Sequence, residues 1–458
     1  MKIGFPKNDK DYVSTANPCK VCRPLGACLA YRGVEGAIPY LHGSQGCATY
    51  IRRYLIGHFR EPVDIACSSL GENEAVYGGE SSLVKGLHNA ASKYDAKVIG
   101  LATTCLAEVQ GEDLRPGILK YGKQEGAVPV VRASTPSFAG THIDGFQDAV
   151  NALVDQLATD ATPHPGFNLL PGMVSPADLR HLRHICELFG APFTMLPDYS
   201  ETMDGPVQDD PEAIPEGGTP LSDIRRMAGA RATLEIGRTL PEKETAGQNL
   251  SDRNGVRLWR TGLPVGLRET DAFLARLETI TGHETPAELS LDRGRLVDSL
   301  IDAHKVVKGR RVVVQGDEDL VVGMVSFLSE MGADVVLAVS GGTSGKLEAE
   351  VKRVCASVRE AVPKVIQGGD FRDLEEAVDA LREAGQAPEL VVGTSKAYRL
   401  CRKWGIPLIR AGFPVHDRFG SQRILHVGYE GALRILDQVA NCLIEARQDD
   451  NPVGYGYW

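Results

Sequence analysis

The sequence predicts an α/β protein of three Rossmann-like doubly wound domains, each a parallel sheet covered by helices. Two observations lead there. Short apolar runs of strand length alternate with helical runs that end in glycine, and the alternation recurs along the chain. At 458 residues the chain is also too long for one compact core, so two or three domains are expected.

The units follow in order. "AKVIGLATT" (96–104) reads as a buried strand, "LRPGILKYGKQEG" (114–126) as a helix and "AVPVVRAST" (127–135) as the next strand. "GFNLLPG" (166–172), "SPADLRHLRHICELFG" (175–190) and "APFTMLPD" (191–198) repeat the pattern. "GRRVVVQGD" (309–317), "EDLVVGMVSFLSEMG" (318–332) and "ADVVLAVS" (333–340) make a third unit. "PELVVGTS" (388–395), "KAYRLCRKWG" (396–405) and "IPLIRAGF" (406–413) make a fourth. Two segments interrupt them: the acidic, Pro- and Gly-containing "DGPVQDDPEAIPEGGTP" (204–220), and "GHETPAELSLDRG" (282–294) ahead of a helix. Breaks near 165 and 305 then give domains 1–165, 166–305 and 306–458. Sheets of this kind hold ligands at the carboxyl ends of their strands.

Composition excludes several functions. The formal charge of −10 argues against a nucleic-acid surface. No apolar run approaches the roughly 18 residues needed to span a bilayer. "MKIGFPKNDKDYVSTANP" (1–18) is polar and carries no apolar core, so no signal peptide is expected and the protein is expected to be cytoplasmic. Structural disulfides are rare there. The ten cysteines are therefore read as core thiols, metal ligands or redox groups.

Two motifs fail on their own requirements. "SGGTSGK" (340–346) resembles a phosphate loop, but Ser340 stands where the leading glycine belongs and Leu347 where a hydroxyl should bind magnesium. An ordinary strand-to-helix loop fits better. Cys19 and Cys22 form a CxxC pair, yet there is no second CxxC to complete a zinc site, and no strand is expected ahead of it as in a redox motif.

A third constellation carries more. Cys22 lies in "CRPLGA", Cys47 in the glycine-rich turn "HGSQGC" and Cys105 in "ATTCLAE", directly after the strand "VIGLATT". All three are placed in turns or at strand ends. Small neighbours leave room for a bulky inorganic cluster, and thiolates are the usual ligands of iron–sulfur clusters. By spacing alone, three buried thiols are an equal reading, since free cysteine is among the most buried residue types. Three thiols are one short of the usual four, so a partner subunit would have to supply the rest.

The chain resembles the β subunit of the nitrogenase molybdenum–iron protein, through "NPCKVCRPLGA", "HGSQGCATY", "GHFREPV", "TTCLAEVQGEDL", "TPSFAGTHIDGF", "PEGGT", "GRLVDSLIDAH" and "AGFPVHDRFG". The resemblance implies that Cys22, Cys47 and Cys105 hold half of an 8Fe-7S P-cluster at the contact with an α subunit. The first domain is then the P-cluster-binding one. Ser137, in "TPSF", matches a serine that joins the cluster when it is oxidised; read alone it is a turn serine. Glu61, Asp298 and Asp302 match a carboxylate site for a divalent cation, calcium or iron, between two β subunits. Asp298 and Asp302 are four apart and share one helix face; by themselves they read as a solvated acidic face. Tyr77 falls where the family places an aromatic residue at the docking surface for the reductase.

The resemblance further implies an α2β2 heterotetramer, an ATP-dependent iron–sulfur reductase protein as electron donor, and an active-site iron–sulfur cofactor in the α partner. No catalytic residue is expected on this chain, and neither a nucleic acid nor a membrane is expected as partner. The implied function is electron relay to the site of dinitrogen reduction. Two departures stand out. Cys19 occupies a position that is usually small and apolar, and a long N-terminal extension found in many β subunits is missing. They keep open the alternative of a methylthio-alkane reductase, which cleaves carbon–sulfur bonds. The second alternative, a cofactor-assembly scaffold, usually lacks the cysteine matching Cys105.

Overall fold

A computed structural model describes residues 19–207, 214–356, 358 and 361–453. The polar stretch 1–18 and part of the acidic segment, 208–213, lie outside the described residues. The first sheet holds β1 (Ala37–His42), β2 (Ala66–Cys67), β3 (Val98–Thr103) and β4 (Val130–Ala133). The second holds β5 (His164–Leu170), β6 (Phe193–Met195), β7 (Ala230–Ile236) and β8 (Arg257–Thr261). The third holds β9 (Arg311–Gln315), β10 (Asp334–Ser340), β11 (Lys364–Gln367), β12 (Leu390–Gly393) and β13 (Leu408–Arg410). Every pairing is parallel, and the orders are β2-β1-β3-β4, β6-β5-β7-β8 and β11-β10-β9-β12-β13. Residue 165 falls just inside β5, and residue 305 near the end of the helix Ala287–Val307.

Strand order reverses between β1 and β3, between β5 and β7, and between β9 and β12. At each reversal the following helices diverge to opposite faces and leave a crevice. One continuous core runs from Leu25 to Leu443 and takes residues from all three sheets. Ile38, Tyr40, Ile99 and Leu101 pack a separate outer face of the first sheet. Val313, Leu337, Val339 and Val391 do the same for the third. This two-sided burial explains why the strands read as apolar runs rather than as alternating patterns.

Glycine decides how the first helix, Arg23–Arg32, is placed. A Cβ at Gly26 would sit 1.7 Å from the carbonyl oxygen of His142, and one at Gly145 would sit 1.9 Å from that of Arg23. The helix therefore lies backbone to backbone on His142–Leu157. The "PEGGT" segment ties the second unit to the first: Glu35 N donates to Thr219 O (3.0 Å) and Thr219 N to Gly33 O (2.9 Å). "SGGTSGK" is a structural loop, as expected. Lys346 Nζ donates to Leu240 O (2.5 Å), and a Cβ at Gly341 would meet the Cys19 backbone at 2.7 Å.

Candidate functional site

The first sheet's reversal point carries two of the expected ligands. Cys47 follows β1 and Cys105 follows β3, the strands on either side of the reversal. The structure corrects one detail. Cys47 lies not in a free turn but in the first turn of the helix Gln45–Phe59, and Cys105 is the first residue of the helix Cys105–Gln110. Their loops touch because residue 43 has no side chain: a Cβ there would lie 1.9 Å from Thr104 Oγ1. Thr104 N donates to His42 O (3.0 Å), and Gly43 N donates to Ser68 Oγ (3.0 Å).

The segments that carry Cys22 and Ser137 adjoin each other through Arg23 and Ala139. Cys22 is the N-cap of Arg23–Arg32, and Arg23 reaches Ala139 O (3.2 Å) and Asp148 Oδ2 (2.6 Å). Ser137 opens the short helix Ser137–Ala139. Its loop is fastened to the Cys105 helix by Glu108, whose Oε1 accepts from Ser134 Oγ (2.5 Å) and from Thr103 Oγ1. Thr135 doubles the fastening through Thr103 Oγ1 (2.8 Å) and Thr103 O (2.7 Å). Glu108 was not singled out in the sequence. Its only local signal is a carboxylate one turn after Cys105.

Exposure separates these thiols from core thiols. Cys28, Cys186, Cys355 and Cys401 are buried, whereas Cys22 is exposed and Cys47 and Cys105 are half-exposed. All are free. Cys19 is buried, and desolvation, with Asp370 adding to it, pushes its thiol up to about 12. Among the described residues, no three His, Cys, Asp or Glu side chains converge as they would on a single metal ion. Exposed apolar side chains lie close in sequence to Cys47, Cys105 and Ser137: Tyr50, Val109 and Phe138 are each at least 66% exposed. Tyr77 is 87% exposed, on the short helix Glu72–Tyr77. Cys67, at the end of β2, was missed. Its Sγ donates to Gly43 O (3.3 Å) and accepts from Ser69 N (3.2 Å), beside the Cys47 loop.

The carboxylates do not meet within the chain. Asp298 and Asp302 are exposed on Ala287–Val307, together with Leu291 and Ile301. Glu61 is half-buried in the turn after Gln45–Phe59, where burial and the neighbouring Asp204 raise its pKa against the pull of Arg32 and Arg423. Among the described residues, no helix is long and apolar enough to cross a membrane.

Three parallel sheets around one core, with Cys47 and Cys105 following the two strands of an order reversal, define a large α/β protein of linked parallel sheets. The sequence profile described as "Nitrogenase component 1 type Oxidoreductase" matches residues 22–444, and the chain belongs to that family. It is 32% identical to the nitrogenase molybdenum-iron protein beta chain of Clostridium pasteurianum, over 94% of this chain and 93% of that one. It is 35% identical to the beta chain of Methanothermobacter thermautotrophicus, over 93% and 94%. A solved chain described as "Nitrogenase Cp1 at pH 6.5" superposes with a TM-score of 0.93 at 30% identity, covering 99% of this chain and 98% of that one. A chain from "Nitrogenase Cp1 at pH 5", at 13% identity and a TM-score of 0.68, shares the fold.

Proposed function

We propose that this chain is the electron-relay β subunit of a nitrogenase-type component. It holds half of an interfacial P-cluster with Cys22, Cys47 and Cys105, and Ser137 joins in the oxidised state. The observation that supports this reading is that Cys22, Cys47 and Cys105 are free and at least partly exposed, with Cys47 and Cys105 following the two strands of an order reversal. When bound, such a cluster supplies single-electron transfer. The chain's own part is to present thiolates from fixed helix ends and to bring apolar side chains that exclude water once an α subunit covers them. Glu108 and Thr103 hold the Ser137 loop in register with the Cys105 helix. Substrate reduction then takes place on the α partner's iron–sulfur cofactor, with electrons delivered by an ATP-dependent reductase that docks near Tyr77.

In this reading Glu61 of one β subunit meets Asp298 and Asp302 of another around a calcium or iron(II) ion, since oxygen-only ligation suits such ions. Dinitrogen is the substrate we propose. A methylthio-alkane reductase would use the same relay, because the choice lies in the α subunit. The test is anaerobic co-purification with the α partner, followed by iron and acid-labile sulfide analysis and by turnover with the reductase and ATP. We expect an α2β2 complex with iron at each α–β junction. A stable, iron-free protein with full activity would refute the reading.

A further inference from the structure

The helix Glu72–Tyr77 does not hold itself in place. It has six residues and none of them is buried. A helix that short is marginal in water on its own. Its apolar residues do not anchor it either, since Val76 is 73% and Tyr77 87% exposed. Only Glu74 is as much as half-buried. Hydrogen bonds must therefore fix where Tyr77 stands.

Those bonds lead to the elements that carry Cys47 and Cys105. Gln110, the last residue of the Cys105 helix, donates from Nε2 to Glu74 O (3.0 Å). Glu112 Oε1 accepts from Gly79 N (2.9 Å), two residues beyond Tyr77. The other oxygen of Glu112, Oε2, lies 3.0 Å from His42 Nε2. His42 is fully buried at the end of β1, and its carbonyl accepts from Thr104 N (3.0 Å), the residue before Cys105. Gly79 leaves no slack: a Cβ there would meet Glu112 Oε2 at 3.0 Å and His42 Cε1 at 3.1 Å. Glu74 closes the near end of the helix, where its carboxylate accepts from Gly71 N (2.9 Å) and Ser82 Oγ (3.1 Å). The bonds to Gly79 N and Glu74 O do not depend on which ring nitrogen of His42 carries its proton.

We infer, on the reading proposed above, that Gln110, Glu112 and His42 are positioning residues for electron entry. They hold the Tyr77 helix in fixed register with the Cys47 and Cys105 loops, and so set how a docked reductase faces the cluster. One electron leaves the reductase's iron–sulfur cluster and one reaches the cluster held here; no bond forms or breaks at these three residues. Misplacing reacting groups by about 1 Å can cost roughly a hundredfold in rate.

The purified α–β complex tests this with two variants. Glu112→Leu removes the bond to Gly79 N and the contact with His42, whereas Glu112→Gln keeps an amide oxygen for Gly79 N. Four quantities are read: iron per complex, the cluster's midpoint potential by dye-mediated titration, the rate of reductase-driven single-electron transfer, and ATP hydrolysed per electron. Glu112→Leu should keep wild-type iron and potential, while reductase-driven transfer slows at least tenfold and ATP per electron rises. Glu112→Gln should recover most of the rate. A wild-type rate and ATP ratio in Glu112→Leu overturns the assignment, as does equal slowing in Glu112→Gln or a slowing matched by lost iron. If Glu112→Leu does not assemble, Gln110→Leu decides in the same assays, since it removes the bond to Glu74 O: slowing at wild-type iron supports the assignment, and an unchanged rate overturns it. A parent complex without iron, or one that takes no electron from the reductase, overturns the underlying reading and this assignment with it.

Discussion

At the residue scale, burial sorts chemically identical groups into different roles. Cys105 is half-exposed at a strand end, whereas Cys19 is buried with its thiol raised to about 12. Cys105→Ala should therefore abolish electron transfer, and Cys19→Ala should keep most of it, both measured as reductase-dependent turnover per complex. Equal losses would make Cys19 a ligand. His58 shows burial acting on a base. Desolvation, reinforced by His416, lowers its pKa from 6.5 to about 3. The unfolded chain then binds the extra proton between pH 6.5 and 3, so stability rises with pH across that window and is lost on acidification. The slope approaches about 1.4 kcal/mol per pH unit where the difference is complete. His58→Gln, which can still accept from Val415 N, should flatten the fall in Tm between pH 7 and 5. An identical fall in the variant would show that this histidine does not carry it.

At the scale of elements, side-chain size at two crossings fixes where the ligands stand. Gly26→Ala drives a Cβ onto a backbone oxygen 1.7 Å away, and overpacking of this kind costs about 1–3 kcal/mol. Because Gly26 lies one turn from Cys22, we expect both a lower Tm and less bound iron. Gly122→Ala, whose Cβ meets nothing nearer than 3.5 Å, should leave both unchanged. Elements were legible where their pattern was local. β3, β4, β5, β6, β9, β10, β12 and β13 stand where the apolar runs put them. β1 carries a weak strand signal because Pro39 interrupts "AIPYLH", and a proline argues against a central strand. β2 pairs with β1 only from Tyr40 onward, so Pro39 has no partner on that side. β2 itself has two residues, too brief for periodicity to register; β11 is an edge strand that is only half-buried and lacks a fully apolar run. The helix Arg23–Arg32 is buried on nearly every side and has no polar face to mark it.

At the scale of the whole molecule, surfaces left uncovered here predict assembly. Asp298, Asp302, Leu291 and Ile301 are exposed on one helix, and among the described residues no third carboxylate joins the two aspartates. Asp298→Asn with Asp302→Asn should remove most of the charge that holds a bridging ion. The α2β2 complex should then loosen at its β–β contact while iron at Cys22, Cys47 and Cys105 persists, as read by analytical ultracentrifugation with metal analysis. An unchanged tetramer, and a parent protein without bound cation, would return these residues to an ordinary solvated face.

By itself the sequence determined the α/β class, the parallel sheets and the family, because these rest on local apolar runs and on long ordered motifs. It also put Cys105 beyond a strand end, since Cys105 follows its strand closely. The tertiary structure alone decided that β1 and β3 are neighbours across an order reversal, that the Cys22 and Ser137 segments adjoin, and that Cys19 is buried beside an exposed Cys22. Such facts depend on contacts between residues tens to hundreds of positions apart, 116 for Arg23 and Ala139, which no local pattern encodes. The buried Asp178–His426 pair spans 248 residues and had no signal in the sequence at all.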